Sequence, residues 1–185
     1  CAAAIVALMG ADLLAMRWAE GGLSTAGLGP APAVCVSDGH GAWRYQRIVR
    51  PPLVIVDDLF ELEYAENCGA AFGLLRTAPA LLRGAVFDTA AIAASMALLF
   101  FFVAGRGGPF FAWSVPFVVS GAVGNLVDRV TNGYVVDFIH FHYGTDFDYP
   151  TFNVADIAIT IGVVLLVVDG FRQPADTAVL EVRTE

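Results

Sequence analysis

The chain has 185 residues, of which 57% are hydrophobic and only 15% charged, and its formal net charge is −8. Soluble domains carry about a quarter charged residues, so this composition excludes both an ordinary soluble fold and a disordered chain, and the acid excess argues against a nucleic-acid partner. All ten basic residues are Arg, which removes any Lys-dependent nucleophile, and the three Cys are too few for a disulfide framework.

A hydrocarbon core about 30 Å thick needs roughly 20 apolar residues per spanning helix. The first such segment covers residues 1–19. It opens at Cys1, not Met, so it is read as most of a spanning helix, with a further piece expected ahead of it. A cleaved signal peptide is the alternative, disfavoured because no basic leader or small-residue cleavage site is present. The connection over residues 20–83 begins with Gly and Pro clusters. It then alternates through Leu53–Val56 and Leu59–Tyr64, with Asp57 and Asp58 between, which predicts two short strands and a turn. A second spanning helix is expected over 84–104, a tight turn over 105–109 and a third helix over 110–128. Tyr134–Ile139 is strand-like, and the fourth helix is expected over 152–170. The whole reads as a single integral membrane domain. Both long connections lie on one side, the short turn and both termini on the other. Counting Arg residues would place the long loop in the cytoplasm, but that rule weakens for loops near 60 residues, so orientation stays open.

A carboxylate mid-helix costs about 2.5–3.5 kcal/mol on insertion scales. Asp12, Asp88, Asp128 and Asp156 nevertheless lie in or beside apolar helices, and Asp137 lies between the last two. Asp88 is expected in the first turn of its helix, where the dipole favours an anion, and is read as interfacial without chemistry. Asp169, at the far end of the last helix, is expected to be solvated. Asn125 and Asp128, and likewise Asn153 and Asp156, are spaced i, i+3 on one helical face, and both pairs lie near the membrane surface that holds Asp137.

Two carboxyls in a partly dry site cannot both ionise cheaply, so one keeps a proton. The ionised member can deprotonate an attacking water while the other protonates the leaving nitrogen of an amide. The competing reading is a helix bundle held by buried hydrogen bonds. It is favoured for Asp128, paired with Arg129 or a neighbour; for Asp137 and Asp156 the two readings stand level. No Ser occupies a Gly-x-Ser-x-Gly turn, and His40 lies in the long loop. His140 and His142 alternate near Asp146 and Asp148, where a metal is conceivable; surface histidines beside aromatic residues are the preferred reading.

The segments Gly124-Asn125-Leu126-Val127-Asp128-Arg129, Gly133-Tyr134-Val135-Val136-Asp137-Phe138 and Phe152-Asn153-Val154-Ala155-Asp156, preceded by Asn67-Cys68-Gly69-Ala70-Ala71-Phe72-Gly73, resemble signal peptidase II, the bacterial lipoprotein signal peptidase. With Asp12 the resemblance extends over about residues 12–160. It implies an all-α membrane protein of four spanning helices with a small periplasmic β-sheet cradle, and an aspartyl endopeptidase of the bacterial inner membrane. On the matching positions Asp137 and Asp156 would be the catalytic pair. Asn67, Asn125, Arg129 and Asn153 would line or brace the site, with Asp12 and Asp128 as supporting polar residues. The substrate implied is a prolipoprotein whose Cys carries a diacylglyceryl group, cut before that Cys, with membrane lipid as the other partner. No metal or organic cofactor is expected, and the chain is expected to be a monomer with its site near the periplasmic face.

The chain departs from the family pattern in two places. The family's first-helix Asp is usually followed by Thr and Lys, where this chain runs Asp12-Leu13-Leu14-Ala15-Met16, and Ile157 follows Asp156 where Ser is common. Residues 21–52 read as an insertion containing Cys35, which could pair with Cys68 in an oxidising compartment. Two alternatives remain: a small proton-coupled transporter using the same acids as a relay, and a catalytically inactive lipoprotein-binding relative.

Overall fold

Four apolar runs become four helices in the computed structural model, which describes residues 1–24, 50–67, 80–144 and 146–172. Helix α1 covers Ala2–Leu23, α2 Ala80–Val103, α3 Pro109–Asn132 and α4 Val154–Arg172. All four are long and apolar enough to cross a membrane. At 1.5 Å per residue the shortest, α4, reaches about 28 Å. Strands β1 (Leu53–Val56) and β2 (Phe60–Asn67) precede α2, while β3 (Val135–Tyr143) and β4 (Phe147–Phe152) lie between α3 and α4. The proposed insertion and the Cys35–Cys68 pair fall largely or wholly outside the described residues.

Helix α3 is the hub of the bundle, its face buried from Ser114 to Asp128, whereas over residues 86–103 of α2 Ser95 alone is buried. Close approach between helices in lipid needs small residues, and α3 and α4 supply them. A Cβ added to Gly121 would strike the Ala155 carbonyl, and one on Gly162 would strike Val118. α3 stops at Gly133, whose φ of 84° is left-handed and whose N–H closes on the Arg129 carbonyl at 2.9 Å. Asp128 fixes the turn that follows, accepting from the Val136 N–H at 3.0 Å and from Asn132 at 3.1 Å. Its partners are therefore neighbours in the turn; Arg129 instead pairs with Asp88.

The strands form one antiparallel sheet in the order β1-β2-β3-β4. Its core side packs Tyr64, Tyr134, Val136 and Phe138 against Met16, Ala19 and Leu23 of α1. The β2–β3 ladder contains an irregularity with consequences for the site. Leu62 pairs with Ile139 and Ala65 with Asp137, so β2 advances three residues while β3 advances two. Side chains alternate strictly along a regular strand, so one extra residue exchanges the two faces. Without it Asn67 would share a face with Glu61 and Glu63; with it Asn67 turns to the face of Asp137.

Three expectations are corrected. α2 begins at Ala80, so Asp88 lies well inside the helix and not in its first turn, and it is held by Arg129 rather than by the helix dipole. Asp169 is buried, with its carboxylate accepting from the Gly108 N–H at 3.0 Å, where it caps α3 from the end of α4. Residues 147–152, with Pro150 in their midst, form β4, a strand that the alternation did not reveal.

Candidate active site

Asp137 and Asp156 come from different elements, and a single asparagine joins them. Asn153 is the residue before α4, and Asp156 is the third residue of that helix. The Asn153 side-chain oxygen accepts the Asp156 N–H at 2.9 Å, while an Asp156 carboxylate oxygen lies 3.3 Å from the Asn153 N–H. This is a capping box, in which two otherwise unpartnered amides at a helix start are satisfied reciprocally. The fold thus aims Asp156 back toward its own N-terminus. Asn153 is fully buried, and its amide group donates both to Asp137 Oδ1 at 2.8 Å and to Asn125 Oδ1 at 3.1 Å.

The remaining oxygens are engaged by two further amides. Asn125 of α3 donates to Asp156 Oδ1 at 3.0 Å, and Asn67, turned inward by the irregularity in β2, donates to Asp137 Oδ2 at 3.0 Å. Three asparagines from three elements therefore hold two carboxyls without contributing charge of their own. The acids differ in setting. Asp137 is 2% exposed, whereas Asp156 is partly exposed and lines a cleft. Burial first, and then the charge of Asp156, push the Asp137 carboxyl up to about 8, against the opposing pull of Asn67, Asn153 and Arg129.

The cleft has a volume of about 710 Å³. Asn67, Asn125, Arg129 and Asp156 form its polar end, and Phe87, Phe141, Phe147, Tyr149, Phe152 and Ile161 line much of the rest. An apolar hollow with a few convergent polar groups is the usual form of a small-ligand site. Arg129 lines it while its Nη1 lies 3.2 Å from Asp88 Oδ1.

Of the eight residues expected at the site, Asn67, Asn125, Asp137, Asn153 and Asp156 form one hydrogen-bonded network, and Arg129 stands in the same cleft. Asp128 stands apart, bonded into the turn before β3. Asp12 lies behind the network. It is buried against Gly124, where a Cβ would collide with its carboxylate, and is directed at the Ala155 N–H in the first turn of α4. Neither of its oxygens closes a well-formed hydrogen bond among the described residues. Asp88 was singled out but read as interfacial without chemistry, and its pairing with Arg129 was not foreseen; the cleft-lining β4 aromatics were not singled out. The signal for Asp88 was an acid inside an apolar run, and for Phe147, Tyr149 and Phe152 the aromatic spacing around Pro150.

The sequence model of the signal peptidase II family matches residues 33–172. The chain belongs to the signal peptidase II family. It is accordingly a peptidase, and Asp12 lies outside the matched stretch. Similar proteins include the lipoprotein signal peptidase of Syntrophus aciditrophicus, 42% identical over 118 residues, covering 63% of this chain and 73% of that protein. That of Clostridium tetani is 33% identical over 127 residues, covering 68% and 79% respectively. A solved bacterial membrane enzyme shares the fold, with a TM-score of 0.66 at 24% identity over 98% of this chain and 93% of the other.

Proposed function

We propose that this signal peptidase II family member removes signal peptides from diacylglyceryl-modified prolipoproteins by a two-aspartate mechanism, cutting before the lipidated Cys. The observation that carries the mechanism is Asn153, which binds Asp137 through its side chain and Asp156 through its backbone and side chain together. Two acids so joined share one proton between them. Asp137, the more buried, holds that proton at rest. Asp156, facing the cleft, accepts a proton from water as the water oxygen attacks the scissile carbonyl carbon. The resulting tetrahedral species collapses with cleavage of the C–N bond, and the nitrogen leaves with a proton from the acid pair. Arg129 opposes the negative charge of the pair.

The substrate's form follows from the surroundings. The acids stand at the start of α4 and on the sheet, at the end of the bundle rather than at mid-depth. Water can reach them there while acyl chains occupy the aromatic part of the cleft. The same clustering argues against a transmembrane relay, which would distribute acids through the membrane depth. We place the protein in the bacterial inner membrane with this end toward the periplasm, acting as a monomeric, single integral domain. The test is mass spectrometry of products from purified protein and a synthetic diacylated precursor. A cut at the bond before the lipidated Cys is expected, with the unlipidated precursor cut at least tenfold more slowly. An uncut diacylated precursor would leave the inactive-relative reading in place.

A further inference from the structure

On the sheet face turned away from Asp137, two strands present a second polar cluster. Glu61 and Glu63 alternate along β2, His140 and His142 along β3, and Glu61 is the direct cross-strand partner of His140. One ligand atom from each of Glu61, Glu63 and His140 lies within 4.8 Å of the others. His140 Nδ1 is 2.9 Å from Glu61 Oε1 and 3.6 Å from Glu63 Oε1, and His142 Nε2 is 3.9 Å from Glu61 Oε2. None of these residues belongs to the network around Asp137 and Asp156.

The other nitrogen of His140 decides what the cluster can hold. Asp148 Oδ1 lies 2.7 Å from Nε2. A carboxylate cannot donate, so the hydrogen in that contact sits on Nε2. A neutral imidazole then points its Nδ1 lone pair at two carboxylates that cannot donate either. Only a cation at Nδ1, a proton or a metal ion, makes that arrangement attractive. A histidine whose second N–H is held by a carboxylate is the usual arrangement for a metal ligand, because the bond fixes the tautomer and makes the free nitrogen more basic. Charge points the same way. The His140 and His142 rings stack 5.2 Å apart at 28°, so protonating both would set two cations face to face. With one imidazolium against Glu61, Glu63 and Asp148, the cluster keeps a surplus of two negative charges; a divalent ion in place of the Nδ1 proton lowers that surplus to one.

We propose that Glu61, Glu63 and His140, with His142 completing the set, form a binding site for a divalent transition-metal ion of the zinc type. Tetrahedral zinc with bonds near 2.05 Å sets its ligand atoms about 3.3 Å apart; the 2.9 and 3.6 Å contacts at His140 Nδ1 lie close to that, and the Glu oxygens, within 4.8 Å of one another, would close the rest by side-chain adjustment. Mixed imidazole and carboxylate donors favour zinc over magnesium or calcium, which take oxygen alone. The ion would tie β2 to β3 in the same ladder that pairs Ala65 with Asp137, and so would stiffen the strand carrying Asn67.

The test is zinc titration of the full-length, chelator-stripped protein in detergent, using the Asp137→Asn variant so that the acid pair of the cleft cannot supply a competing site. One zinc per chain is expected. Affinity should fall at least tenfold in His140→Gln and in Glu61→Gln, and roughly tenfold in Asp148→Asn, which loses only the orienting carboxylate. Zinc at a hundredfold excess over Kd should raise Tm on the order of 5 °C, and this rise should vanish in His140→Gln. No stoichiometric zinc binding in Asp137→Asn, or binding that His140→Gln leaves unchanged, overturns the site. Binding is read on a variant expected to be inactive, so its outcome is independent of whether the cleavage mechanism holds.

Discussion

Asn153 and Asp156 cap one another at the start of α4, side-chain oxygen to backbone amide at 2.9 Å in one direction and backbone amide to carboxylate at 3.3 Å in the other. The same three-residue spacing that ends strand β4 and starts a spanning helix also orients an acid. The cap and the link to Asp137 use different atoms of Asn153 and can be separated. Asn153→Ser keeps an oxygen for the cap but loses the amide that reaches Asp137. Cleavage should fall at least tenfold while Tm drops by only a few degrees; Asn153→Ala should lose about 1 kcal/mol more stability. Activity and Tm are measured on the same detergent preparations.

The raised Asp137 carboxyl, near 8, makes a sign-definite prediction. In the unfolded chain an Asp releases its proton near pH 4, whereas folded Asp137 retains it up to about 8. The folded state therefore binds more protons across that window, and stability must fall as pH rises from about 4 to about 8. Asp137→Asn should flatten that part of the Tm-versus-pH curve. Asn67→Ala removes a hydrogen bond that opposes the shift, so it should move the alkaline limb of kcat/KM to higher pH; a limb that stays in place would count against Asp137 as the proton holder.

Gly121 is required by close packing, since a Cβ there would meet the Ala155 carbonyl two residues after Asn153. Gly121→Ala should cost about 1–3 kcal/mol by overpacking and displace the start of α4, so cleavage should fall along with stability. Gly10, whose Cβ position is open, is the control, and Gly10→Ala should leave cleavage unchanged and stability unchanged or raised by up to about 1 kcal/mol.

The Arg129–Asp88 pair is largely shielded, with side chains 19% and 24% exposed. Breaking it should cost more than the under ~1 kcal/mol of an exposed pair, because Arg129 is left largely buried without its partner. Asp88→Asn should therefore lower Tm by a few degrees and reduce cleavage severalfold by freeing Arg129 to swing in the cleft. Arg129→Ala should reduce cleavage far more, a difference that kinetics on the two variants resolves.

Much of this architecture was legible in the chain because burial in lipid leaves a blunt signature. The apolar runs announced four helices, and the alternation of residues 53–56 and 59–64 announced two strands. What stayed hidden depended on tertiary partners. Asp169 read as solvated because nothing local reveals that Gly108, sixty-one residues earlier in sequence, brings an amide to it. Equal i, i+3 spacing put Asn125 with Asp128, and Asn153 with Asp156, on shared helical faces, and Asp128 was read as a structural acid. Yet Asn125 turns to Asp156 while Asp128 turns to the Val136 amide, because α3 ends at Gly133 and its last turn must serve the chain leaving it. The extra residue in β2 was invisible too: an alternating sequence does not say where the alternation slips, and that slip brings Asn67 to Asp137. The site residues themselves were named by the family resemblance, not by spacing.

The most direct test of the two-aspartate account is the cleavage rate of a diacylated precursor by Asp137→Asn and Asp156→Asn, each first shown by its melting curve to be folded in detergent. Each exchange nearly keeps the shape of the side chain, removes its ability to carry the shared proton, and turns one acceptor oxygen into an amide donor, so the melting curve is the needed control. Both variants should lose at least a thousandfold in kcat while still binding the precursor. A variant of either kind that retains a tenth of the normal rate would contradict the account.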